Sequence, residues 1–451
     1  MRLYILSLFV LKISFIASEI LFVFEHFRHG VPGPSAPSSS TEFIDKFGIL
    51  WETNVELTGI GMRTQYLIGV RNRIRYQNFL SSIYDPKEIL IFSTQLNRNI
   101  LSAQAQLQGM FPPQTGGTLT PEEVRKAIPP NPLTPEMRRE IKELGNNSLP
   151  DQMQLIPIHT FNVNEYKQLL SDDELCPPLR SVKNKLRSNE RLTSFYDKLN
   201  KTYGVELKKY FQMKSFSFLF DYYRLYYLFD VFLIDYANHK DLSSLEKVGI
   251  DLNKFYALAI EMKSIYLYES ELNESIGVQA ASPSMRKILI WMDKRIEQDQ
   301  SPNKISDYDE PKFVMYSGSD SSIAPFQIFM KLVFDIPLKY PIFSSNIFYE
   351  LHKDNDAYYV EYYMNDELLL RMSYEEFKQK VKTIIWSDDR IMQYCAVPMK
   401  GRAVIVIVVG LVVIICVLFL TLSVLCIKKE KRTKRKKERL SQQVELKEQM
   451  V

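Results

Sequence analysis

An arginine and a histidine stand side by side at Arg28 and His29, just after the apolar run LFVF (21 to 24), in the stretch HFRHGVPGP (26 to 34). A second arginine, Arg98, follows the apolar run ILIF (89 to 92), and an aspartate, Asp320, follows FVMY (313 to 316). If these three run ends adjoin, the residue types suit one chemistry. Two guanidiniums can grip phosphate oxygens through paired hydrogen bonds and stay charged at any acidity. An imidazole between them can attack phosphorus and hold the phosphoryl group. A carboxylic acid opposite can protonate the departing alkoxide. Neither metal nor organic cofactor is required, because the arginines serve the equatorial oxygens that metals serve elsewhere. On spacing alone the bland reading stays open, since arginines at strand ends are often solvated or salt-bridged.

Other chemistries find less support. The chain has five histidines, with no HxxxH pair, no CxxC and no GxSxG. A metal centre and a serine-hydrolase elbow are therefore not expected. His26 and His29 are three apart, so in an extended segment they face opposite sides of the strand.

Three elements must position the set. Each apolar run is followed by a polar loop and, in the second and third cases, by residues at i, i+3, i+7, i+10: Ile100, Ala103, Leu107 and Met110, then Ile323, Phe326, Met330 and Val333. Strand, loop and helix repeated in this way predict an α/β fold, a Rossmann-like and mostly parallel sheet flanked by helices. Ligands in such folds gather at the carboxyl ends of the strands. Residues 112 to 137 are rich in proline and threonine and read as loop, with a short helix capped at Thr120-Pro121-Glu122-Glu123. Residues 180 to 265 are helical in pattern and crowded with aromatics. We read about 113–265 as a smaller α-helical cap domain inserted between core segments of about 19–112 and 266–395. Its tyrosines serve better as helix-packing core than as a ligand-lining surface.

The ends of the chain read as membrane-directed sequence. Residues 1–18 have Arg2, an apolar centre and small residues at Ala17 and Ser18, as a cleaved signal peptide does. Residues 403–427 are 25 uncharged residues, long enough for one transmembrane helix. The tail 428–451 carries 10 Lys+Arg against 4 Glu, a net +6 that leaves −2 for the rest of a chain at +4. Such an excess marks the cytoplasmic side, predicting a type I single-pass protein with residues 19–400 extracellular or lumenal. Beside a membrane helix the basic run suits anionic lipid, and nucleic acid is not an expected partner. Cys416 and Cys426 fall inside the span, leaving Cys176 and Cys395 for one disulfide in an oxidising compartment. Asn146, Asn200 and Asn273 begin glycosylation triplets. Oligomeric state has no sequence signal.

Longer stretches carry a resemblance. Phe27-Arg28-His29-Gly30 through Pro34 resembles the RHGxRxP signature of the histidine acid phosphatases, the branch that includes lysosomal and prostatic-type enzymes. ELTGIGMRTQYLIGVRNRIRY (56 to 76), NRNILSAQAQLQGMFPP (97 to 113), IPIHT (156 to 160), YSGSDSSIAPF (316 to 326) and FYELHKDNDAYYVEYYMND (348 to 366) are similar to further blocks of that family, in the same order, the last of them resembling its late β-hairpin. The resemblance implies that His29 is the nucleophile, Asp320 the general acid, and Arg28 and Arg98 phosphate ligands. It places Cys176 and Cys395 near cysteines that pair in relatives.

Two positions depart from the pattern. Pro32 stands where the signature has its second arginine, and Ser319 where the late block has a histidine. Each lost donor costs about 10²- to 10³-fold in rate. Proline supplies no donor at all, whereas serine keeps a hydroxyl. Arg63 and Arg71 are the neighbouring arginines that could reach in instead. The expected function is a membrane-anchored phosphomonoesterase weakened at these positions. The alternative is a pseudophosphatase that keeps the fold and binds anions without turnover.

Overall fold

The computed structural model describes residues 18–34, 56–160, 190–213, 215, 222–269, 274–301 and 310–396. Two compact units are distinguished, Met1–Tyr394 and Cys395–Val451, and the first holds every described element except the end of the last helix. Several expectations fall outside the described residues: the signal peptide except Ser18, Cys176, Asn273, the 403–427 span and the basic tail. Among the described residues no helix is long and apolar enough to cross a membrane.

The chain begins with β1 (Glu19–Arg28), followed by α1 (Gly59–Arg75), β2 (Ile89–Ser93) and α2 (Asn97–Met110). Short helices α3 (Pro121–Lys126) and α4 (Pro135–Leu144) precede a two-residue β3 (His159–Thr160). Next come α5 (Glu190–Tyr210), α6 (Tyr222–Ala237), α7 (Ser243–Lys247) and α8 (Leu252–Ser264). The long α9 (Glu274–Gln300) leads back to β4 (Phe313–Gly318) and α10 (Asp320–Phe334). Strands β5 (Asn346–Asp354), β6 (Ala357–Met364) and β7 (Glu367–Ser373) are followed by α11 (Tyr374–Ile384) and α12 (Asp388–Cys395).

The sheet has seven strands in the order β3-β2-β4-β1-β5-β6-β7. Strands β3, β2, β4 and β1 are parallel, while β5, β6 and β7 run antiparallel. The sheet is thus mixed rather than mostly parallel. Short turns at 355–356 and 365–366 join the last three strands, and a tight turn can connect only antiparallel neighbours. Strand β1 also runs further than LFVF suggests: its ladder to β4 continues through His26–Tyr316 and Phe27–Ser317 to Arg28–Gly318. Its buried polar residues, Glu25, His26 and Arg28, are tolerated because each finds partners on one face or the other.

On one face, Val23 and Phe27 of β1 pack with Ile91, Met315 and Phe348 beneath Ala103, Leu107 and Met110 of α2. Helices α1 and α2 cross at Gly69 and Gly109, where a Cβ on Gly69 would lie 1.9 Å from the Gln106 carbonyl oxygen. On the other face Phe22 meets Trp291 of α9, and Phe24 stacks on Phe326 of α10. The helices between β3 and α9 have a core of their own, including Phe195, Phe229, Phe232 and Phe255. The tyrosines expected to serve as its packing do so mostly at its margin: leucine and phenylalanine make up most of the core, Tyr203 is buried within it, and Tyr196, Tyr210, Tyr227, Tyr236, Tyr256 and Tyr266 pack partly buried against it. The short helix at Pro121 has the expected capping box between Thr120 and Glu123.

Glu25 is fully buried in β1, where it accepts from Asn72 Nδ2 (2.9 Å) and Gln106 Nε2 (2.7 Å). Burial pushes its carboxyl up to about 7, against those donors and the nearby Arg71 charge. A folded-state value above the ordinary 4.5 gives stability that is present below that pH and lost as pH rises through about 7. Urea unfolding across this window is expected to show wild type losing stability relative to Glu25→Gln as pH rises. A pH-independent difference between the two would contradict this.

Candidate active site

The carboxyl ends of β1 and β4 lie side by side, and α2 and α10 begin beside them. This arrangement brings Arg28, His29, Arg98 and Asp320 together. The His29 backbone N–H donates to the Gly318 carbonyl at 2.9 Å, and the His29 carbonyl accepts from Ser344 at 3.1 Å. Gly30 is required next: a Cβ there would meet the Gly61 carbonyl oxygen at 2.5 Å, because α1 packs directly on the loop backbone. The Gly30 N–H is held by Ser102 Oγ of α2 at 3.0 Å.

His29 is 4% exposed. Its Nδ1–H donates to the Gly30 carbonyl at 2.8 Å, leaving Nε2 as the unprotonated nitrogen, to which Arg98 Nε donates at 3.3 Å. Burial first, then the charges of Arg28 and Arg98, push the imidazole down to about 3. It is neutral in mild acid, where an ordinary histidine would be protonated.

Arg28 points to the other side of β1. Its guanidinium pairs with Asp320 at 3.0 Å, donates to the Tyr340 hydroxyl (3.0 Å) and Pro341 carbonyl (2.7 Å), and lies 4.1 Å from the Phe343 ring centroid. Gln65 Nε2 donates to the Arg28 carbonyl at 2.8 Å, fixing the backbone from α1. Burial works against the Arg28 charge, but Asp320 and Tyr340 outweigh it.

Asp320 is the first residue of α10, where an anion suits the helix dipole. Its Oδ2 takes both Arg28 and the Tyr340 hydroxyl (3.1 Å), and its Oδ1 accepts the Ser321 N–H. Burial favours the neutral acid, yet Arg28 and Lys263 hold the carboxyl well below the usual range. Asp320 is therefore held ionised.

The two altered positions are committed locally. Pro32 bridges to Leu57, and its carbonyl accepts from Asn238 at 3.2 Å. Ser319 Oγ pairs with Ser321 Oγ at 2.8 Å. The neighbouring arginines do not reach in: Arg63 is on the exposed face of α1, and Arg71 pairs with Asp366. His26 faces away from His29, against Phe326, with Nε2 bonded to Ser322 Oγ at 3.0 Å.

Several residues of the site carry no sequence signal. Tyr340 follows no motif, and Lys263 and Asp230 sit within amphipathic helices. They form a 2.7 Å ion pair, with Lys263 1% exposed. A cavity of about 220 Å³ beside Arg28 is lined by Leu233, Tyr236, Tyr256, Ile260, Tyr340 and Phe343, among others.

Away from this site, Glu350, His352 and Glu361 bring their ligand atoms within 4.8 Å of one another. This is the one such group among the described residues. Glu350 and Glu361 are directly opposed on β5 and β6, where like charges repel. His352 Nε2 contacts Glu350 at 2.9 Å, Arg75 pairs with Glu350 at 2.6 Å, and Arg371 pairs with Glu361 at 3.4 Å. The two arginines already balance both carboxylates. Among the glycosylation asparagines, Asn146 and Asn200 are exposed. Cys395 is disulfide-bonded, and its expected partner Cys176 is not among the described residues.

The family model described as the histidine phosphatase superfamily, branch 2, matches residues 19–365. The chain is 24% identical over 363 residues to prostatic acid phosphatase of Rattus norvegicus, an alignment covering 78% of this chain and 80% of that protein. It is 28% identical over 217 residues to lysosomal acid phosphatase of Xenopus laevis, covering 45% and 49%. In fold it is similar to the phytase from Citrobacter braakii, with a TM-score of 0.56 at 11% identity, over 84% of this chain and all of that one.

Proposed function

The chain belongs to branch 2 of the histidine phosphatase superfamily, and from that premise we propose that it hydrolyses phosphomonoesters through a phosphorylated His29. The observation that carries this reading is the His29 imidazole, held neutral with Nδ1–H on the Gly30 carbonyl and Nε2 facing Arg98.

In the proposed reaction Arg28 and Arg98 bind the phosphoryl oxygens. Nε2 of His29 attacks phosphorus, the P–O bond to the alcohol breaks, and the leaving oxygen takes a proton from Asp320. Water then attacks phospho-His29, giving its proton back to Asp320, and inorganic phosphate leaves. Asp320 must gain a proton before the first step, although the Arg28 pair favours its ionised form. Bound phosphoryl oxygens would draw on the same guanidinium and set negative charge beside the carboxylate, raising its proton affinity. A phosphomonoester monoanion, dominant below its second pKa of about 6, would bring that proton with it.

This sets the pH dependence. Activity is expected to fall as pH rises past about 6, where the substrate loses its proton. The acid limb of kcat/KM should lie near 3, where His29 becomes protonated, and not near the ordinary 6.5. A limb near 6.5 assigned to His29 would contradict the account.

The competing reading, a pseudophosphatase, draws on Pro32 and Ser319. Purified protein assayed with p-nitrophenyl phosphate in mild acid separates the two, because a rate no greater than that of His29→Ala supports the second. With the enzyme reading, Pro32→Arg combined with Ser319→His should raise the rate, by up to about 10²-fold or more. No gain in a folded double variant would show that these departures do not limit the rate.

The proposed setting is a type I membrane protein, anchored by 403–427 with 428–451 cytoplasmic. The acid phosphatase relatives support a lumenal or extracellular catalytic unit. Exposure of Asn146 and Asn200 suits glycosylation there, and a Cys176–Cys395 disulfide suits the same compartment. No cofactor enters the proposed reaction.

A further inference from the structure

We propose that Lys263 is the third cation of the phosphate site, standing in for the guanidinium missing at Pro32, and that Asp230 is its exchangeable counter-ion. The inference rests on the phosphatase reading and deepens it.

Helical spacing brings both residues to the site. On α8, Tyr256, Ile260 and Lys263 fall at i, i+4 and i+7, on one face. On α6, Tyr226, Asp230, Leu233 and Ala237 fall at i, i+4, i+7 and i+11, again on one face. Tyr256 and Ile260 from one stripe, with Leu233 and Ala237 from the other, line the cavity that also contains Arg28 and Tyr340. Lys263 and Asp230 continue these two stripes by about one turn. They meet there in the 2.7 Å pair, with the ammonium 3.7 Å from the Tyr226 ring centroid. Two independent contacts seat this part of the chain against the phosphate loop. Asn238, just past α6, donates to the Pro32 carbonyl. Tyr268, just past α8, donates to Gln327 of α10 and to the carbonyl of Lys339, next to Tyr340.

The electrostatics agree with the placement. Asp320 responds to Lys263 as its second strongest cation after Arg28. Arg28, Arg98 and Lys263 are all affected by the Asp230 carboxylate. One internal carboxylate thus pairs directly with Lys263 and acts through space on the two arginines that would hold the phosphate. Counting Arg28, Arg98 and Lys263 against Asp320 and Asp230, with His29 neutral, leaves these residues one net positive charge, which a phosphomonoester monoanion would balance. An ammonium with 1% exposure is costly to bury, and an apolar pair of similar volume would join α6 to α8 at least as firmly. A role in anion binding gives a reason for the charge.

The test is titration calorimetry of the full chain with inorganic phosphate. Lys263→Met should weaken phosphate binding by about tenfold or more, Lys263→Arg should retain it, and Asp230→Asn should tighten it. A purely structural ion pair predicts otherwise: both truncations would lower thermal stability and neither would move affinity in opposite directions. Affinity unchanged in Lys263→Met, or weakened in Asp230→Asn, overturns the proposal. If Lys263→Met does not fold, Asp230→Asn decides alone, since unchanged or weaker binding refutes the exchange. Phosphate affinity is read without turnover, so failure here is distinct from failure of the phosphatase reading, which shows as equal p-nitrophenyl phosphate rates in wild type and His29→Ala.

Discussion

Replacing His29 with alanine is expected to reduce phosphatase kcat by about 10⁴- to 10⁶-fold, to the background of a site that can bind but not attack. The size of the effect follows from what His29 alone provides. Its Nδ1–H is fixed on the Gly30 carbonyl, so the lone pair of Nε2 is presented next to Arg98. The imidazole stays neutral down to about 3, so the nucleophile is available throughout the mildly acidic range. The other histidine of the loop does not substitute for it: His26 is on the opposite face of β1, bonded to Ser322. Because His29 is almost fully buried, the variant should be checked for folding by near-UV circular dichroism and for phosphate binding. Retained binding with lost turnover is the expected pair of results. Retained turnover would assign the chemistry elsewhere.

Asp320→Asn should have the next largest effect, and one that depends on the leaving group. General-acid catalysis contributes about 10²- to 10⁴-fold. An alkyl phosphate, whose alkoxide is a poor leaving group, should lose most of that. p-Nitrophenyl phosphate, whose phenolate leaves without a proton, should lose much less. Asparagine keeps an oxygen for the Tyr340 hydroxyl but removes the charge facing Arg28. Phosphate affinity should therefore rise in this variant, since Arg28 no longer has an internal competitor. Equal losses on both esters would remove Asp320 from the proton-transfer role and leave it as a partner of Arg28. Measuring kcat for both esters in wild type and variant decides between these outcomes.

The parts of this site that could be foreseen share a physical feature: their signal is local. The apolar runs at 89 to 92 and 313 to 316 became β2 and β4, and the spaced residues after them became α2 and α10. Parallel strands buried on both faces read as continuous apolar runs, and the helices that cover them show a period near 3.6. Arg98 and Asp320 stand where those periods begin. The mixed character of the sheet was less legible from the residues, because β5 and β7 run opposite to the other strands and residue type does not record direction; only the resemblance, with its late β-hairpin at 348 to 366, pointed to it. Glu25 interrupts an apolar run, and nothing nearby in sequence announces that Asn72, Gln106 and Asn346 will surround it. Lys263 and Asp230 are 33 residues apart and meet only because α6 packs on α8. A lysine or an aspartate on an amphipathic helix ordinarily belongs to the solvent side, so periodicity alone assigns both to the wrong face.

The departures at Pro32 and Ser319 make the central question one of rate. Two guanidiniums, a neutral imidazole and a carboxyl converge at the ends of β1 and β4, and Lys263, paired with Asp230, offers a cation that the signature loop lacks. The most direct test is to trap the intermediate. Protein mixed with p-nitrophenyl phosphate in mild acid, quenched rapidly in base to preserve phosphohistidine, and digested should yield the peptide containing His29 with the added mass of one phosphoryl group. His29→Ala should yield none. Turnover in wild type with no phosphoryl group on that peptide, or an equal rate from His29→Ala, would contradict the account.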